Sequence, residues 1–142
     1  MSHASAARFP TPGEVRAALG EVGADIPDLA VAYLYGSAVA GDAGPGSDLD
    51  IALVLVADAD PGPLFAETVS ARLAERLGFT GEVDAHLVDH LPLPVRGRVV
   101  TEGVPVFERD AVRRVEFETS TRRLYFDFLP FLERDAREAL GG

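Results

Sequence analysis

The sequence predicts an α/β (α+β) domain: a small mixed β-sheet flanked by helices and followed by a C-terminal helical segment. Two short, nearly continuous apolar runs, "LAVAYLY" and "LDIALVLV", read as strands covered on both faces. Segments with apolar residues at helical spacing are interleaved with them, and from Asp110 onward the chain reads as helix. At 142 residues the chain is long enough for one real core and too short for two comfortable ones. Residues 11–142 are therefore expected to form a single domain, with residues 1–10 as a flexible tail.

Taken in order, "TPGEVRAAL" opens the first helix: Thr11 caps, Pro12 suits the first turn and Glu14 completes a capping box. Gly20 or Gly23 is expected to end it. Residues 29–35 and 49–56 are the two apolar strands. The loop "ADADPGP" places Asp60 and Pro61 to start another helix, in which Leu64, Phe65, Val69, Leu73 and Leu77 recur at helical spacing up to Gly78. "EVDAHLV", 82–88, alternates, with Val83, Ala85 and Leu87 on one side and Asp84, His86 and Val88 on the other. It should pair beside 49–56. A short helix over 95–102, an edge strand over 104–108 and a long helix capped by Asp110 complete the chain, with a break or kink expected just before Pro130.

Composition narrows the function. Apolar residues make up 47% and charged residues 25%, an ordinary globular balance. No apolar run approaches a membrane span and no signal peptide is legible, so no membrane contact is expected. Cysteine is absent, which removes disulfides and thiolate metal sites and makes the cytoplasm the default location. The formal charge is -10, and all 13 basic residues are arginine. Such a field repels nucleic acid, so no direct nucleic-acid contact is expected. A phosphate handled here should arrive with a metal ion or be gripped by backbone amides, and a basic protein or a cationic small molecule suits the charge better.

The chemistry concentrates in "LYGSAVAGDAGPGSDLDIALVL", 34–55. Gly36 after a strand permits a tight turn and close approach of backbone N–H groups to a ligand. Ser37 adds a hydroxyl, and a short helix near Ala38 would point its N-terminus at the same place. Asp48 and Asp50 fall on one face of the next strand. Two carboxylates about 6 Å apart repel by about 3 kcal/mol at an effective dielectric of 20. A solvated pair, a protonated member or a bound cation would relieve this, and oxygen ligands at that spacing suit magnesium. Asp84, on a strand expected to lie alongside, is the third carboxylate. It would complete a metal site or accept a proton from an attacking hydroxyl. Asp89 takes its place if the register is shifted. His86 shares the face as a substrate contact or a structural histidine.

Gly36-Ser37, ten residues and Asp48-Leu49-Asp50 resemble the nucleotidyltransferase signature of the DNA polymerase β superfamily. Chance would produce that spacing in roughly one chain in several hundred. The resemblance implies the palm-like nucleotidyltransferase fold, Mg²⁺ (one or two ions) held with ATP by Asp48 and Asp50, and phosphates held by Gly36 and Ser37. It makes Asp84 the third acid, which serves catalysis and metal binding alike.

Over nearly its full length the chain is similar to the minimal nucleotidyltransferases, and most of all to the MntA antitoxins. "EVDAHLVDHLPLPVRGRVVTEGVPVFERD" and "RRVEFETSTRRLYFDFLPFLER" carry that likeness. Members partner HepT, a HEPN-type ribonuclease toxin, and silence it by moving AMP from ATP to a toxin tyrosine. A hetero-oligomer with the toxin is thereby implied. The family turn often carries a basic residue where this chain has Ala40.

Two other functions fit the same residues. One is a binding module that neutralises a toxin by occlusion. The other is nucleotidyl transfer to a small cationic acceptor, although such enzymes generally carry a second, helical acceptor domain for which this chain has little room. The cluster "YFDFLPFL", 125–132, is expected to pack the last helix onto the sheet, its alternative being an exposed anchor for a partner. Arg122 or Arg123 is a candidate phosphate contact.

Overall fold

In the computed structural model, residues 9–41, 43–44 and 46–141 are described. Most of the expected tail, and Asp42 and Pro45 of the glycine-rich turn, lie outside them. Phe9 lies inside and packs edge-on against Phe79, the ring centroids 5.5 Å apart.

The described elements are α1 (Pro12–Ala24), β1 (Leu29–Tyr35), the single turn α2 (Ser37–Ala40), β2 (Leu49–Leu55) and α3 (Phe65–Leu77). Then follow β3 (Val83–Leu87), a 3₁₀ turn (Val88–His90), α4 (Leu93–Glu102), β4 (Val104–Glu108) and α5 (Ala111–Gly141). The sheet order is β3-β2-β1-β4. β1 pairs antiparallel with β2 and β4, while β2 and β3 run parallel through the α3 crossover. A mixed sheet with helices on its faces is the predicted class, and β4 is the edge strand the sequence implies.

Alternation divides the core. Leu34, Leu49, Ile51, Leu53 and Val83 face α1 and α3, whereas Tyr33, Ala52 and Val54 face α4 and α5 through Val99, Val100 and Phe117. Both sides of β1 are thus covered, which is why its sequence is apolar throughout.

The capping box forms as read: the Glu14 N–H donates to Thr11 Oγ1 at 3.1 Å, and the Thr11 N–H to Glu14 Oε1 at 2.8 Å. Neither Gly20 nor Gly23 ends α1, which runs on to Ala24. Gly23 is small for a different reason, since a Cβ there would stand 2.4 Å from the Phe107 ring of β4. Nor do Asp60 and Pro61 start α3. The Pro61-Gly62-Pro63 run keeps the chain out of helical geometry, and the helix begins at Phe65 after a turn in which the Phe65 N–H donates to the Gly62 carbonyl. Within it Val69 and Leu73 are buried, and Leu64, just before it, is exposed. Asp110 caps α5 as expected, its Oδ1 accepting from the Arg113 N–H at 3.1 Å.

Two expectations for the C-terminal segment are corrected. α5 carries Pro130 inside it without a break. The carbonyl that loses its N–H partner there belongs to Phe126, on a stretch open to water, where hydration replaces the lost bond. Beyond Tyr125 the aromatic residues of the 125–132 cluster do not pack the helix onto the sheet: Phe126, Phe128 and Phe131 are exposed, as is Leu124 just before the cluster. Packing of α5 runs instead through Phe117 and Tyr125, whose ring lies directly over Gly97 of α4.

Candidate functional site

The site grows from the end of β1. Tyr35 is its last residue, and Gly36 then turns the chain at φ 78°, ψ -147°, a conformation that side chains oppose. The turn also brings the backbone against β2, so that a Cβ on Gly36 would lie 2.5 Å from Asp50 Oδ2. Glycine is required here by both conformation and space. Ser37 opens the single turn α2 behind it.

Register does the rest. Tyr35 pairs with Asp50 across β1 and β2, and Asp50 pairs with Asp84 across β2 and β3. Neighbouring strands are about 4.8 Å apart, so two carboxylates stand side by side on the face that carries Tyr33 and Ala52. Asp48 lies just before β2 and is exposed. His86, two residues along β3, places Nε2 2.9 Å from Asp84 Oδ1.

Burial, then the charge of Asp84, then that of Asp48 hold the Asp50 carboxyl above its ordinary range, and His86 opposes them. Burial, with Asp50 and Asp84, pushes the Tyr35 phenol up to about 12. Among the described residues, no arginine is one of the charges that set either group. An anionic site with a histidine but no arginine beside it is therefore built into the sheet, and hard oxygen donors of this kind fit Mg²⁺.

The carboxylates share a face, but they are not drawn into a closed cage. Among the described residues, no three acidic or histidine side chains are already gathered to hold a metal ion. The in-register pair is Asp50 with Asp84, and Asp48 joins it through its charge on Asp50. Asp89 stands on the 3₁₀ turn beyond β3, so the Asp84 register needs no replacement. Arg122 sits 3.8 Å from Glu118, on the Tyr33 side of the face, and Arg123 is exposed. Sequence reasoning missed Tyr35, for which the only signal was its place immediately before Gly36-Ser37.

Residues 19–112 match the family described as "Polymerase beta, Nucleotidyltransferase", and the chain belongs to that family. No curated protein matches the sequence significantly. Among solved structures, one described as a toxin-antitoxin with AMP-PNP is 20% identical with a TM-score of 0.68, over 92% of this chain and 99% of that one. A MntA-HepT toxin-antitoxin structure is 18% identical with a TM-score of 0.64, over 89% and 97%. A structure of a tri-AMPylated Shewanella oneidensis HEPN toxin in complex with MNT antitoxin is 18% identical with a TM-score of 0.66, over 89% and 96%. At these identities the likeness is one of fold, and the fold is the nucleotidyltransferase fold that the resemblance of the Gly-Ser and Asp-Leu-Asp signature implied. No helix among the described residues is long and apolar enough to cross a membrane.

Proposed function

We propose that this chain is a Mg²⁺-dependent adenylyltransferase antitoxin that moves AMP from ATP to a tyrosine of a HEPN-type toxin partner, with residues 11–142 acting as one domain. The observation that carries this is the in-register Asp50–Asp84 pair beside the Gly36 turn, which has His86 beside it but no arginine among the described residues. A structural carboxylate pair would be expected to have an arginine, and the family of the chain supplies the reaction class.

Asp48 and Asp50, with Asp84, are the residues to hold the metal, and Gly36 and Ser37 are those to seat the phosphates. When bound, the ion supplies charge neutralisation for the triphosphate. Asp84 would accept the proton of the acceptor phenol, whose oxygen bonds to the α-phosphorus as the bond to pyrophosphate breaks. His86, in contact with Asp84 Oδ1, orients that carboxylate.

Incubation of the protein and its HEPN-type toxin with labelled ATP and Mg²⁺ tests the reading. Labelled toxin, lost on Asp48→Asn, is the expected result; absence of label with the wild-type chain overturns it. Neutralisation by occlusion is the second reading, favoured by the exposed aromatic residues on α5, and full neutralisation by Asp48→Asn would establish it.

A further inference from the structure

β3 is the outer strand of the sheet, and along its free side, between it and α3, runs a groove with a cavity volume of about 980 Å³. Four carboxylates line it, Glu67, Glu82, Asp84 and Asp89, together with His86 and His90. Among the described residues no arginine lines it. Asp84 and His86 line this groove and also belong to the candidate site, so the two share those residues.

A free strand edge ordinarily invites a further strand. Here the middle of the edge is already occupied, because the Ala85 N–H donates to the Ser70 hydroxyl of α3 at 3.0 Å. A segment lying in the groove would then be held by its side chains more than by backbone pairing. The carboxylates of the lining have no arginine among them, so charged side chains that enter the groove should be cationic.

We propose that this groove seats an arginine- or lysine-bearing segment of the acceptor protein and so presents its hydroxyl at Asp84 and His86. The proposal rests on the transferase reading for the word acceptor, but its binding test does not.

The probe is a short tyrosine peptide flanked by arginines, compared with its glutamate-flanked counterpart by fluorescence anisotropy at physiological salt. The wild-type chain should bind the basic peptide at least tenfold more tightly. Glu67→Arg combined with Asp89→Arg, both exposed positions, should weaken that binding by about tenfold. Glu102→Arg with Glu116→Arg makes the same change of charge at exposed positions outside the groove and should change it by less than about twofold. Equal affinity for the two peptides, or an equal loss in both double variants, overturns the proposal. AMP transfer to the toxin, measured in parallel, separates the two claims. Groove-dependent binding with no transfer by the wild-type chain removes the enzymatic reading and leaves the groove standing. A KM for the toxin that is unchanged in the groove variant overturns the groove.

Discussion

Tyr33 and Tyr35 lie two residues apart on one strand and one face, yet their surroundings are opposite. The Tyr33 hydroxyl donates to Glu118 Oε2 at 2.6 Å, and Arg114 and Arg122 stand 3.3 and 3.8 Å from that carboxylate. Arg114 is also bonded to Glu108. The negative charge is thus neutralised within the fold. Burial, followed by the bond to Glu118, holds the Tyr33 phenol far above its usual range. At Tyr35 the neighbouring carboxylates are Asp50 and Asp84, and among the described residues no arginine compensates them. A largely buried carboxylate with its cations one turn away on its own helix is a structural element. One that lacks them leaves the charge for something that arrives from solution.

Predictions that break or sharpen this contrast follow from the chemistry. Asp50→Asn should lower AMP transfer by roughly 10³-fold while the protein stays folded, as measured by labelled transfer and by thermal melting. It should also abolish the rise in melting temperature that MgATP gives the wild-type chain. If Asp50→Asn lowered the melting temperature as much as a change at Glu118, the two regions would not differ in kind.

Glu118→Leu should destabilise the protein by about 1–3 kcal/mol in urea, because the Tyr33 hydroxyl and Arg114 both lose their partner. The double variant Tyr33→Phe/Glu118→Leu should recover part of that loss, and transfer per folded molecule should remain near wild type. Gly36→Ala should cost about 1–2 kcal/mol through its positive φ, and more through contact with Asp50, and transfer should fall as the turn shifts.

The smallest effect is the dependence on pH. Asp50 has its folded pKa raised, so the native state holds that proton more tightly than the unfolded chain. In metal-free protein, stability should fall as pH rises from the unfolded carboxylate value of about 3.9 through the raised folded one. Asp84, Asp48, His86 and Tyr35 face the group and set the size of the change. The carboxyl is partly solvated, so the change should be about 1 kcal/mol or less, and Asp50→Asn should flatten it in urea titrations taken across that range.

Most of the element list was legible because its signals are local. The Thr11–Glu14 capping box, the alternation over 83–87 and the apolar runs of β1 and β2 each depend on residues within a few positions. Two of the misreadings occurred where a distant residue decided. Gly23 looks like a helix terminator in isolation, and it is retained inside the helix because Phe107 occupies the space of its side chain. Aromatic residues at 126, 128 and 131 look like core, and they stay exposed because Phe117 and Tyr125 make the contacts of α5 with the body. Pro130 looks like a stop, yet water serves the carbonyl it releases. In the site, Asp48, Asp50, Gly36 and Ser37 could be picked out from spacing, whereas Tyr35 gave no chemical signal of its own.

The sequence by itself determined the helices, the strands, the Gly-Ser turn and the Asp-Leu-Asp pair, because backbone preferences and alternating burial act over a few residues. Only the tertiary structure decided that Asp50 faces Asp84, that Glu118 rather than a site carboxylate takes the arginines, and that a groove lies along β3. Those outcomes depend on the register of strands joined through the α3 crossover and on the course of α5 across the sheet. Neither is encoded in any short stretch of chain, since each is fixed by which distant apolar surfaces can be buried together.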